Sequence, residues 1–241
     1  MNRHAILLLA VGVAFACSAD EDSPGADATV TADVTADVAA DVPPDAVPFP
    51  NDGRLRLNHL QLKGTHNSYH VAPTPATVPD WEYTHEPLDV QLDAQGVRHL
   101  EIDLHWKRGE GHRVFHLPLV DDRSTCETFV DCLSVIRAWS DEHRDHLPIL
   151  VTLELKYSPP DDDPAEPLAD MVAELESVWP RARLVTPAEV RGDFPTLNAA
   201  VRAHAWPPLA AVRGRILFAL QWQSRHDAHL AHVLAAYPDL A

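Results

Sequence analysis

Residues 97–106 read Val-Arg-His-Leu-Glu-Ile-Asp-Leu-His-Trp, and their alternation decides the fold. Side chains two apart on a strand share a face. Glu101 and Asp103 therefore point one way, and Leu100, Ile102 and Leu104 point the other. Such a strand has a core against one face and a polar interior against the other. Pro148 to Leu155 is a dense apolar run of the kind buried in a parallel sheet, with Glu154 set inside it.

Working outward, His59–Lys63, Arg113–His116, Arg183–Thr186 and Arg215–Gln221 also read as strands. Between them, Glu127–His143 has helical spacing, with Phe129, Leu133, Ile136 and Trp139 on one face. Pro164–Trp179, Leu197–His204 and Arg225–Tyr237 are further predicted helices. Strands alternating with helices imply a parallel α/β architecture, here with about six strands. No glycine-rich nucleotide loop follows any strand. The expected fold is an α/β (β/α)8 TIM-type barrel. Such a barrel takes ~250 residues, so the stretch 51–241 reads as a C-terminally incomplete one.

The net charge is −17. Asp20, Glu21, Asp22, Asp27, Asp33, Asp37, Asp41 and Asp45 fall in the stretch 18–50, which has no Lys or Arg. Phosphate contacts need Lys and Arg, so nucleic acid is excluded as a partner. An anionic substrate requires a local cation. The same stretch is built from Ala, Asp, Val, Thr and Pro in near-repeats and cannot bury enough surface to offset its ordering entropy. It reads as a disordered acidic linker, with the folded domain spanning 51–241, expected as a monomer.

Before it, Arg3 precedes an apolar or small run, Ala5–Ala16, too short to cross a bilayer but suited to a signal peptide over residues 1–17. Ala14-Phe15-Ala16-Cys17 resembles a lipobox, so the chain is expected to be exported and either anchored through Cys17 or secreted. In that compartment Cys126 and Cys132 are expected to form a disulfide.

Ionisable residues gather near strand C-termini, where barrel active sites are built. Gly64-Thr65-His66-Asn67-Ser68-Tyr69-His70 follows the first strand, Glu101 and Asp103 lie on the next, His116 ends another, and Glu154 sits in the apolar run. Carboxylates facing one interior repel and lose solvation unless a cation lies between them. Asn67, Glu101, Asp103 and Glu154 supply only oxygen, the donor set of a hard cation, Ca²⁺ or Mg²⁺. His66 and His116 are then free to move protons. Each feature alone also has a bland reading. Glu101 and Asp103 can pair with Arg98 or Lys107, Glu154 with Lys156, and a lone His among fifteen is usually structural.

His66-Asn67-Ser68-Tyr69, Leu100-Glu101-Ile102-Asp103, Phe115-His116 and Thr152-Leu153-Glu154 together resemble the X-region of phosphoinositide-specific phospholipases C, in particular bacterial calcium-dependent phosphatidylinositol phospholipase C-like proteins. Leu184-Val185-Thr186-Pro187 and the stretch from Trp206 to Gly214 are similar as well, so the resemblance covers about residues 57–221. It implies a phospholipase C-type phosphoric diester hydrolase with His66 and His116 as the catalytic pair. It also implies Ca²⁺ as cofactor, held by Asn67, Glu101, Asp103 and Glu154. The implied substrate is a phosphatidylinositol-type phospholipid at a membrane surface. Lys156, on the face of Glu154, either approaches the phosphate or neutralises Glu154.

Two alternatives remain at this point: a glycerophosphodiester phosphodiesterase of the same barrel superfamily, against which Asn67 speaks, and a catalytically silent surface-anchored binding domain. Trp81 and Tyr83 are expected to pack their loop onto the barrel, with a lipid-facing rim as the functional alternative.

Overall fold

The computed structural model describes residues 9–10, 49–75, 78–157, 160, 162–163 and 165–221. Most of the expected signal segment and nearly all of the linker lie outside them, as does the expected helix Arg225–Tyr237.

The sheet is one path, with strand order β1-β6-β5-β3-β2 and β4 attached to β3. Its members are β1 (Leu9–Ala10), β2 (Gly64–Thr65), β3 (His99–Lys107), β4 (Gly111–Val114), β5 (Ile149–Leu155) and β6 (Ile216–Gln221). All neighbours along the path are parallel. The helices are α1 (Leu88–Asp93), α2 (Phe129–Glu142), α3 (Glu166–Val178), α4 (Pro187–Arg191), α5 (Leu197–Arg202) and α6 (Leu209–Val212). This is the parallel α/β arrangement expected from the alternation.

The central strand behaves as its pattern dictates. Leu100, Ile102 and Leu104 are fully buried and join Leu133, Ile136, Met171 and Leu175 in one core cluster. Burying a side chain of this size is worth about 1.5–3 kcal/mol, so this face holds the sheet to α2 and α3. The opposite face carries Glu101 and Asp103, both buried. Helix α2 begins where Thr128 accepts from the Asp131 N–H while the Asp131 carboxylate accepts from the Thr128 N–H, a capping box that fixes its start. Cys126 and Cys132 are disulfide-bonded just ahead of and inside this helix.

Several expectations need correction. The strand expected at His59–Lys63 is displaced: Leu57–His59 form a 3-10 turn and pairing starts only at Gly64. A Cβ at Gly64 would crowd the His99 Cβ at 3.1 Å, so glycine lets the two strands approach closely there. The stretch Arg113–His116 is not a parallel barrel strand. It belongs to β4, which pairs antiparallel with β3 and ends at Val114. The three residues Arg108-Gly109-Glu110 between β3 and β4 are too few for a crossover helix, which parallel pairing needs. Gly109 and Gly111, with φ of 77° and 78°, turn the chain straight back. Arg183–Thr186 likewise gives only a single parallel bridge, Leu184 to Ile216, after a 3-10 turn at Arg181–Arg183. The described body, residues 49–221, thus holds four parallel strands and one hairpin strand instead of six parallel strands.

Candidate active site

The register of the parallel strands sets the polar residues side by side. Asp103 is paired with Glu154 across β3 and β5, and Glu101 with Thr152. Carboxylate oxygens of Glu101, Asp103 and Glu154 come within 4.8 Å of one another, and all three residues are buried. Glu101 Oε1 and Asp103 Oδ1 have no hydrogen-bond partner. Burial, and then the neighbouring Asp103 charge, drive the Glu101 carboxyl well above its usual range. Burial also raises Asp103, although Lys156 and Tyr69 oppose this.

Asn67 reaches this group from the end of β2. Its φ of 46° lies in the left-handed region, which Asn tolerates better than most residues. That turn lets the Asn67 N–H donate to Glu101 Oε2 at 2.6 Å. Its side chain is held at both ends: Nδ2 donates to the Tyr83 hydroxyl, and Oδ1 accepts from the Tyr69 hydroxyl. The Tyr69 hydroxyl also lies 2.7 Å from Asp103 Oδ2.

Lys156 leans over the cluster. Its Nζ is 2.8 Å from Glu154 Oε1 and 3.3 Å from Asp103 Oδ2. Burial alone would lower the Lys156 ammonium, but the Asp103 and Glu154 carboxylates more than offset it, and the net direction is up. Arg98 and Lys107 do not serve these acids. Arg98 donates to the Leu92 and Val97 carbonyls and lies over the Trp139 ring, while Lys107 pairs with Glu110.

His66, next to Asn67, is exposed, and Glu154, His116, Lys156 and His85 are the charged groups that act on it. The residue keeps surface in water, yet the partial burial of its ring holds the imidazole below the usual range. His116 lies in the same neighbourhood, two residues beyond β4, with the Trp81 ring edge-on 5.7 Å away. The structure therefore brings His66, Asn67, Glu101, Asp103, Glu154, Lys156 and His116 to one end of the sheet, the C-terminal ends of β2, β3 and β5.

Sequence reasoning missed the groups that hold this arrangement. Asp121, fully buried, bonds the ring nitrogens of both His70 and His116. Tyr83 stacks on His70 with ring centroids 4.2 Å apart, so it packs its loop inward, as expected. His85 Nε2 lies 2.9 Å from the His66 carbonyl oxygen. Tyr69 and His70 gave a signal as part of the motif around His66, and Tyr83 as an aromatic of the loop that follows. Nothing local marks Asp121.

The family of calcium-dependent phosphoinositide phospholipases C matches residues 55–112 and 106–238. The chain belongs to that family. Calcium is the cofactor of these phospholipases, and the donors here fit it: three clustered carboxylates, two of them with unsatisfied buried oxygens, and no sulfur or imidazole among them. Among solved structures, the calcium-dependent phosphoinositol-specific phospholipase C from a Pseudomonas sp. in its apo form is similar at 21% identity. Its TM-score is 0.60, over 80% of this chain and 66% of that one. A myo-inositol complex of the Pseudomonas enzyme matches at 22% identity and a TM-score of 0.54, over 71% of this chain and 59% of that one. The calcium-dependent phosphatidylinositol-specific phospholipase C from Streptomyces antibioticus is 26% identical with a TM-score of 0.50, over 73% of this chain and 61% of that one. The phospholipase C-like barrel fold is thus shared, and the chain spans about two thirds or less of the length of these relatives. No curated protein sequence matches it.

Proposed function

We propose that the protein is a calcium-dependent phosphoric diester hydrolase that cleaves phosphatidylinositol-type phospholipids at a membrane surface, with His66 and His116 as its acid–base pair. The observation that carries this reading is the trio Glu101, Asp103 and Glu154, with two unsatisfied buried oxygens, beside those two histidines. Asn67, Glu101, Asp103 and Glu154 would hold Ca²⁺, which supplies charge neutralisation for the phosphate and acidifies a bound hydroxyl.

The residues of the chain divide the proton work. The His66 imidazole is held below its ordinary range, which suits the neutral ring to accept the proton of the attacking inositol 2-hydroxyl. His116 binds Asp121 through Nδ1, which leaves Nε2 as the nitrogen for the phosphoryl or leaving oxygen. Attack of the 2-hydroxyl on phosphorus forms the cyclic phosphate, and the proton delivered to the leaving oxygen frees diacylglycerol. Lys156, at the edge of the cluster, would meet the phosphate once released from Glu154. We also propose that residues 51–241 form the catalytic domain. An exported location for the chain is supported by the signal-like residues 1–17 and the Cys126–Cys132 disulfide.

A second reading has one observation in its favour. The Lys156 ammonium already pairs with Glu154 and Asp103, as in a silent binding domain that needs no metal. The test is release of water-soluble phosphate ester from phosphatidylinositol vesicles by the full chain, in calcium and in chelator. Turnover that requires calcium and is lost in His66→Ala and His116→Ala supports the hydrolase. A folded chain with no turnover in calcium overturns it.

A further inference from the structure

Asp121 has no Lys or Arg bonded to it among the described residues, yet it is fully buried. A carboxylate in that position costs several kcal/mol unless compensated. Its two oxygens are divided between two rings. Oδ1 and Oδ2 lie 2.8 and 3.0 Å from His70 Nε2, and Oδ2 lies 2.7 Å from His116 Nδ1. His70 is itself fully buried, and its Nδ1 faces the Tyr83 carbonyl oxygen at 2.9 Å. Both His70 nitrogens thus face oxygens, the Tyr83 carbonyl on one side and the Asp121 carboxylate on the other. The His70–Asp121 contact holds the carboxylate in place, with Oδ2 also facing His116 Nδ1.

Loop closure does not require this carboxylate. The turn 117–121 is already closed by reciprocal backbone hydrogen bonds between Leu117 and Asp121. Backbone bonds also tie the segment after it to the strand-end motif, Thr125 N–H to the Tyr69 oxygen and Val71 N–H to the Arg123 oxygen. What the side chain adds is a fixed acceptor for one nitrogen of one ring. His70 extends the same restraint to the other half of the site. It stacks on Tyr83, whose hydroxyl accepts from Asn67 Nδ2.

We infer that His70 and Asp121 are a buried positioning pair that locks the His116 ring in the Nδ1–H form, leaving Nε2 to face substrate. The inference rests on the proposed catalytic role of His116. A carboxylate in this place orients the ring for proton transfer to or from the substrate. Neither residue touches substrate.

The test uses the full chain, with ring-nitrogen ¹⁵N spectra of His116 in its neutral form and kcat and KM on phosphatidylinositol in calcium. The expected wild-type spectrum has a hydrogen on Nδ1 and a bare Nε2. Asp121→Asn is expected to mix the two tautomers and lower kcat on the order of 100-fold, within the range of positioned acid–base groups, with KM changed less than about threefold. If Asp121→Asn fails to fold, His70→Gln is read instead, with the same loss of a single tautomer and a kcat loss of about 10-fold. A wild-type His116 with its hydrogen on Nε2 overturns the inference, as does a folded variant with unchanged tautomer and kcat. If the wild type cleaves no phosphatidylinositol, the proposed function fails, and the tautomer spectra alone decide the positioning pair.

Discussion

Lys156 Nζ lies 2.8 Å from Glu154 Oε1 and shares its charge with Asp103 at 3.3 Å. An ammonium therefore sits against two of the three carboxylates that would hold a cation. The two cations compete. Lys156→Met is expected to raise calcium affinity about 10-fold and to lower calcium-free stability by on the order of 2 kcal/mol, since removing one partner of a buried pair strands the other. Calorimetric titration and chemical denaturation, each with and without calcium, check both halves. A turnover that falls while affinity rises would give Lys156 a further role on the phosphate.

Burial, followed by the Asp103 charge, raises the Glu101 carboxyl, and a metal binds its charged form. Calcium binding near neutral pH is expected to release protons. The binding enthalpy should then vary linearly with the ionisation enthalpy of the buffer, and this dependence should vanish in Glu101→Gln.

The Tyr69 hydroxyl bonds both Asp103 and Asn67. Tyr69→Phe keeps the buried ring and removes only that link. Outer-shell partners of metal ligands are typically worth about 10–100-fold in affinity, and a loss in that range is expected here in a calcium titration, with little change in melting temperature in chelator.

His146 is buried and neutral, with Nε2 2.7 Å from the Ser140 hydroxyl and Nδ1 2.6 Å from the Leu147 carbonyl oxygen. Burial lowers it from 6.5 to about 4. Between those values the unfolded chain binds a proton that the folded chain does not, so stability is full above pH 6.5 and falls as the pH drops toward 4. The loss is on the order of 2 kcal/mol by pH 5. Melting curves should show a drop between pH 7 and pH 5 that is about 5 °C smaller in His146→Gln than in wild type.

The fold and the site were legible to different depths. The shared face of Glu101 and Asp103, and the burial of Glu154 in an apolar strand, followed from the period of two and from hydrophobic density. The parallel register that sets Asp103 against Glu154 only completed what those strands implied. Two glycines in one short turn, Gly109 and Gly111, reversed the reading of the next strand, because β4 has a strand's composition whichever way it runs. The pairing of His70 with Asp121 was invisible for another reason. Their contact joins two loops fifty-one positions apart, and no local pattern encodes a pairing made by tertiary structure.

The calcium site itself is the claim on which the rest depends. Its most direct test is a calcium titration of the full chain beside one carrying Glu101→Gln, Asp103→Asn and Glu154→Gln together. One site of defined affinity in the wild type, reduced in the triple variant to the weak binding of the acidic segment 18–50, is the expected result. A triple variant that binds calcium as tightly as the wild type would contradict the assignment of these three carboxylates.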